Sequence, residues 1–85
     1  MPKSVTIYTR HDCIQCEWTK KLLDRNNVRY NEIDVDIDND ARDALHAKGF
    51  TAIPVVIAGD DSWCGFQYDK LRDLITGLAC GRGSA

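Results

Sequence analysis

The chain has 85 residues, with 11 Lys and Arg against 13 Asp and Glu and a formal net charge of −2. That length gives one domain with a thin core, and that charge balance excludes the basic footprint of a nucleic-acid binder and the polybasic patch of a membrane-surface protein. Hydrophobic and charged fractions of 44% and 28% argue against disorder, and the longest apolar run, Ile53-Pro54-Val55-Val56-Ile57-Ala58, is far too short to cross a bilayer.

Met1-Pro2-Lys3-Ser4 leads straight into an alternating segment without the apolar stretch of a secretory signal, so a cytoplasmic protein is expected. Val5, Ile7 and Thr9 alternate with Thr6, Tyr8 and Arg10, which predicts a first strand. His11-Asp12 breaks the pattern. From residue 13 to about residue 26 the period is helical, with Cys16, Thr19, Leu22 and Leu23 on one face and Asn26-Asn27 as a stop. Period two returns over residues 28–37, with Ile33, Val35 and Ile37 on one side and Tyr30, Glu32, Asp34 and Asp36 on the other. Asp38, Asn39 and Asp40 are N-cap candidates for a helix over residues 41–48. Its inner face is Ala41, Ala44, Leu45 and Lys48, and Gly49 can take the left-handed position that ends it. Pro54 opens a third strand, Val55-Val56-Ile57-Ala58. Gly59-Asp60-Asp61 makes a hairpin turn, and residues 62–65 form a short fourth strand. Leu71, Leu74, Ile75 and Leu78 predict a last helix over residues 67–78. Residues 1–79 are then the folded domain, and residues 80–85 a flexible tail in which Cys80 is a spectator.

The order β-α-β-α-β-β-α predicts an α/β fold. Right-handed parallel crossovers join the early strands, and an antiparallel hairpin ends the sheet. A four-stranded mixed sheet with helices on both faces follows.

The chemistry lies with the cysteines Cys13, Cys16, Cys64 and Cys80. In a reducing cytosol they are not a disulfide framework. Cys13-Ile14-Gln15-Cys16 is a C-x-x-C placed where the first strand hands over to the first helix, with Cys13 near the N-cap and Cys16 a turn deeper. Residues at i and i+3 face the same side at a Cα separation of about 5 Å, within disulfide range. Free N–H groups and the positive end of the helix dipole point at Cys13 and stabilise its thiolate. A zinc knuckle would need two further ligands from Cys64, Cys80, His11 and His46, and no second paired motif supplies them. A C-x-x-C opening a helix in this β/α order reads as a redox pair.

Strand, C-x-x-C, helix, then Ile53-Pro54 resembles the thioredoxin fold, and at this size its glutaredoxin branch. That resemblance implies a cis proline facing the disulfide, with the peptide edge of Ile53 free to pair with a bound substrate backbone. From the residues alone, a trans proline opening an edge strand fits equally. The finer resemblance, over about residues 4–78, is to the NrdH-redoxins. Cys13-Ile14-Gln15-Cys16 matches their C-[VMI]-Q-C, and Trp63-Cys64-Gly65-Phe66-Gln67-Tyr68-Asp69 is similar to their W-S-G-F-R-P-D. The resemblance implies a dithiol redoxin without a cofactor or metal, expected to be monomeric. Its catalytic residues are Cys13 and Cys16, and Ile53, Pro54, Trp63, Gly65 and Phe66 are substrate-binding. Its partners are thioredoxin reductase and the large subunit of a class Ib ribonucleotide reductase.

The sequence departs from that family at Cys64, where Ser is usual, and at Gln67-Tyr68, where Arg-Pro is usual. A thiol bonds more weakly than a hydroxyl, so the family's hydrogen-bond network beside the active site is expected to be weaker here. Loss of Pro is expected to loosen the start of the last helix. The alternative is a glutathione-dependent glutaredoxin, and a non-catalytic metal or iron–sulfur module is the reading from another class. Against glutathione stand Ile14-Gln15 in place of Pro-Tyr and Phe66 where bare Gly-Gly backbone is usual, although Arg10 could pair with a carboxylate. Cys64-Gly65-Phe66 superficially matches a C-G-F-S cluster site but sits at a strand end. Asp34, Asp36, Asp38 and Asp40 fail as a calcium loop, having Asn39 for the glycine and Leu45 for the last glutamate. They read as a solvated strand face and a helix cap. Trp18 is either a surface anchor for partners or a partly packed side chain. His11 could favour the Cys13 thiolate when protonated, or sit in a solvated loop.

Overall fold

β1 (Val5–Thr9) buries alternate residues, as its pattern predicts: Val5, Ile7 and Thr9 point into a core while Thr6 and Tyr8 are half-buried on the other side. This is a computed structural model, and it describes the backbone of residues 5–84 and the side chains of residues 5–77. After β1 come α1 (Ile14–Arg25), β2 (Asn31–Asp34), α2 (Asn39–Ala47), β3 (Val55–Ala58), β4 (Asp61–Cys64) and α3 (Tyr68–Ser84), the expected order. The strands form one four-stranded sheet, ordered β2-β1-β3-β4. β1 runs parallel to β2 and antiparallel to β3, and β3 is antiparallel to β4.

The register decides which side chains share a face. Ile7 lies beside Val56 and Val56 beside Trp63. That row, with Val5 and Ala58, is covered by Leu23 of α1 and by Leu71 and Leu74 of α3. Tyr8, Val55 and Cys64 make the row on the opposite face, packed with Val35, Leu45 and Phe50 around α2. Helices therefore cover both faces, and β1 and β3 at the centre serve both cores.

The helix ends follow from local chemistry. Cys13 is the N-cap of α1 and Asp38 that of α2, where its carboxylate accepts from the Ala41 N–H at 3.0 Å. α1 ends at Asn27, in the left-handed region at φ 57°. Val28 N–H reaches Leu23 C=O at 3.0 Å and Asn27 N–H reaches Asp24 C=O at 3.1 Å, the paired bonds that close a helix C-terminus. α2 ends the same way. Gly49 sits at φ 91°, Phe50 N–H bonds Leu45 C=O and Gly49 N–H bonds His46 C=O, both at 3.0 Å.

The structure corrects three expectations. β2 covers only Asn31–Asp34 instead of residues 28–37. The Asp34 carboxylate captures the Asp36 N–H at 2.8 Å, and Asp34 C=O takes the N–H groups of Ile37 and Asp38. This side chain competes with the ladder and turns the chain, leaving Ile37 75% exposed. On α2, only Leu45 of the predicted inner face is buried; Ala41 is half-buried, and Ala44 and Lys48 face solvent. A short helix over one corner of a small sheet covers it with little more than one side chain. Finally, the α3 backbone continues to Ser84, where the last helix was expected to end at Leu78. No proline interrupts residues 79–84, and the helix continues there although Gly81 and Gly83 each cost about 1 kcal/mol of helix propensity relative to Ala. The side chains of Leu78 and Cys80 lie outside the described residues. Among the described residues, no helix is long and apolar enough to cross a membrane.

Candidate functional site

Cys13 leaves β1 through His11 and Asp12 and caps α1. Its own backbone is extended (φ −110°, ψ 104°), and its Sγ accepts the Cys16 N–H at 3.2 Å. The sulfur therefore takes the place a Ser or Asp oxygen takes at most helix N-termini. Cys13 is half-buried, while Cys16, one turn on, is only 1% exposed; both are free thiols. Burial pushes the Cys16 thiol up from 9.0 to about 12, with a hydrogen bond to Cys13 acting in the same direction. The pair thus has an outer sulfur that a second molecule can reach and an inner sulfur that it cannot.

Beside the pair stands the corner between β4 and α3. The Ile53–Pro54 peptide is cis, and Pro54 C=O accepts the Gly65 N–H at 2.7 Å. Gly65 turns at φ 79°, where a side chain would be strained. The carboxamide of Gln15, between the two cysteines, reaches across: its Oε1 accepts the Phe66 N–H at 3.2 Å. Gln67 Nε2 holds the Cys64 C=O at 2.8 Å, and Gln67 C=O accepts the Leu71 N–H, so Gln67 fastens the start of α3. At this corner the carbonyl of Cys64, not its thiol, makes the bond. The Phe66 and Trp18 rings meet edge to face, centroids 5.7 Å apart at 68°. Trp18 is still 48% exposed and Ile14 61% exposed, so an apolar rim surrounds the cysteines.

The expected site residues thus fall into two groups. Cys13, Cys16, Pro54, Gly65 and Phe66 are drawn together by this chain of bonds, with Ile53 half-buried behind Pro54. Trp63 is not at the surface: it is a core residue, 6% exposed, whose outer side is approached by Lys70 Nζ at 6.0 Å from the ring centroid. Its Nε1 has no hydrogen-bond partner among the described residues. Cys64 projects from the other face of the sheet. The role of Gln15 was not legible beyond its place in the motif, because a bond to a residue 51 positions away leaves no trace in local spacing.

Two charged groups flank the site. Lys20 Nζ bridges Glu32 at 3.0 Å and Glu17 at 3.2 Å, and Glu32 also accepts from Thr9 Oγ1 at 3.0 Å. These bonds hold the Lys20 ammonium above its ordinary range and the Glu32 carboxyl below its own. They tie α1 to the first two strands. On the other side, His11 N–H donates to Asp36 Oδ2 at 2.9 Å, and the His11 ring lies 3.6 Å from Asp34. His11, Asp34 and Asp36 bring their ligand atoms within 4.8 Å of one another. The loop bond and the turn at Asp34 already account for that grouping.

Comparison with known proteins agrees with this geometry. The model of the family described as Glutaredoxin matches residues 5–63. The glutaredoxin-like protein NrdH of Salmonella typhimurium is 45% identical over 71 residues, 84% of this chain and 88% of that protein. The solved NrdH-redoxin of Escherichia coli, described as having a thioredoxin-like activity profile, superposes with a TM-score of 0.81. It is 46% identical, over 84% of this chain and 93% of its own. A buckwheat glutaredoxin solved in complex with glutathione is more distant, with a TM-score of 0.68 and 26% identity over 91% of this chain and 80% of its own.

Proposed function

The chain belongs to the glutaredoxin family, on its NrdH-redoxin branch, and from that premise we propose that it is a dithiol–disulfide redoxin. It carries electron pairs from a thioredoxin reductase in the cytosol to protein disulfides, above all that of the ribonucleotide reductase large subunit. The observation that carries this reading is the asymmetry of the pair: an accessible Cys13 sulfur holding a backbone N–H, with Cys16 buried one turn behind.

The steps follow from that asymmetry. The Cys13 thiolate attacks one sulfur of a substrate disulfide, and the other substrate sulfur leaves as a thiolate and takes a proton. Cys13 is then bound to the substrate. Once bonded to the substrate, the Cys13 sulfur no longer adds its hydrogen bond and charge to the burial that holds the Cys16 proton, and Cys16 gives up that proton and attacks Cys13 Sγ. The substrate's second sulfur leaves as a thiol, fully reduced, and Cys13–Cys16 becomes a disulfide. The reductase returns two electrons and two protons. The Cys16 N–H stays directed at the Cys13 sulfur and steadies charge whenever that sulfur attacks or leaves.

The test uses single variants. Cys13→Ser abolishes disulfide reduction, and Cys16→Ser accumulates a mixed disulfide with the substrate, visible as a mass adduct. Wild-type turnover by Cys16→Ser on a protein disulfide would refute the assignment. For the reductant, turnover with NADPH and thioredoxin reductase is expected to exceed turnover with glutathione. The reverse result would restore the glutathione-dependent alternative.

A further inference from the structure

The Phe66 N–H stands at an exposed corner within one side chain's length of the cysteine pair. An unoccupied amide in that position receives a carbonyl or carboxylate from whatever thiol or disulfide docks there. It is not unoccupied: the Gln15 Oε1 sits on it at 3.2 Å. Among the described residues, chain neighbours aside, the same oxygen is the one atom within 4 Å of a Cβ built on Gly65, at 4.0 Å. The carboxamide therefore covers the bare backbone of Gly65 as well as the donor beyond it. The Trp18 ring packs against the Phe66 ring in an edge-to-face contact.

We propose that Gln15 is a specificity-determining residue that excludes small carboxylate-bearing thiols and disulfides by occupying the Phe66 N–H with its own side chain. An incoming carboxylate has to displace an acceptor that is covalently tethered, and hence present at high effective concentration. A small tripeptide thiol has few other contacts to offset that loss. A protein partner spreads its contacts over the apolar rim of Ile14 and Trp18 and loses little. Selectivity is this difference. The inference rests on the dithiol reading above, but no reductase enters its test.

The probes are glutathione and its diethyl ester, which has the same thiol with both carboxylates masked. In each reaction a thiolate attacks Cys13 Sγ of the oxidised protein. The Cys13–Cys16 bond breaks, and its electron pair leaves on Cys16, which takes a proton. A second thiolate then attacks the mixed disulfide at the small molecule's sulfur and expels Cys13, so two thiols become one disulfide and the pair is reduced. The quantity read is the rate constant for glutathione divided by that for the diester. Gln15→Ala is expected to raise this ratio about tenfold over the parent, the scale of one hydrogen bond to a charged acceptor. Gln15→Glu keeps an acceptor on the Phe66 N–H and adds a like charge, so its ratio stays at or below the parent's. A ratio within twofold of the parent in Gln15→Ala, or an equal rise in Gln15→Glu, would overturn the proposal. If neither thiol reduces the parent or any variant while dithiothreitol does, the dithiol reading stands and binding decides the proposal; if dithiothreitol also fails, the dithiol reading falls. Unreactive S-methylglutathione then shifts the Phe66 amide resonance at lower concentration in Gln15→Ala than in the parent, or the proposal falls.

Discussion

Cys13 and Cys16 differ in one respect that matters for chemistry: only the inner thiol is cut off from water, and burial holds its proton. The sign of the linkage follows. Above pH 9 the unfolded chain releases the Cys16 proton while the folded chain keeps it, so stability falls as pH rises. The reduced protein is therefore expected to lose stability relative to Cys16→Ser, with a slope approaching about 1.4 kcal/mol per pH unit near pH 10. Urea unfolding of both proteins at several pH values between 9 and 10 measures this, and parallel curves would show that Cys16 is not held protonated. Cys64 makes the opposite case. It is half-buried among Val55 and the α2-side core, and only its carbonyl is engaged at the active-site corner. Cys64→Ser is expected to keep turnover within about twofold of the parent and to cost about 1 kcal/mol or less of stability. A large loss of rate in that variant would make Cys64 a third redox thiol.

Helix ends are where single residues set the path of the chain. Gly49 closes α2 at φ 91°, and among the described residues, its chain neighbours aside, nothing lies within 4 Å of where a Cβ would stand. Gly77, inside α3, has helical dihedrals, and among the described residues nothing lies within 4 Å of its Cβ position either. The same substitution is thus expected to act in opposite directions. Gly49→Ala costs about 1–2 kcal/mol through left-handed strain, and Gly77→Ala gains about 0.5–1 kcal/mol through helix propensity. Thermal melts of the two variants check this; a stabilising Gly49→Ala would mean that α2 ends some other way. Both stops, Asn26-Asn27 and Gly49, were legible in the sequence because left-handed positions admit few residue types. The end of β2 was not. Ile33, Val35 and Ile37 keep perfect alternation, and only the Asp34 carboxylate taking the Asp36 amide breaks it. A pattern of apolar residues carries no record of which aspartate turns back on its own backbone.

At the scale of the molecule, the element order, the sheet and the position of the C-x-x-C were all readable. They depend on hydrophobic periods and on one motif at a strand-to-helix junction. Harder to read was which side chains the sheet turns inward: Trp63, expected to bind substrate, is buried in the same core cluster as Leu71 and Leu74. Equally hidden was the bond that joins Gln15 to Phe66, because both depend on register across strands remote in sequence. The sheet has one more property that follows from its order. Its outer strands, β2 and β4, have four residues each. Asn31 and Glu32 on one and Asp61 and Ser62 on the other are exposed. A neighbouring copy that tried to extend the sheet would find a short rail lined with polar and charged groups, and edge-to-edge aggregation is discouraged by this means. In sedimentation experiments the protein is expected to stay a single species as concentration rises. Asp61→Val with Ser62→Val, which makes the β4 edge apolar, should produce concentration-dependent association. Short, polar outer strands are thus expected to let the protein be concentrated without seeding fibres of its own.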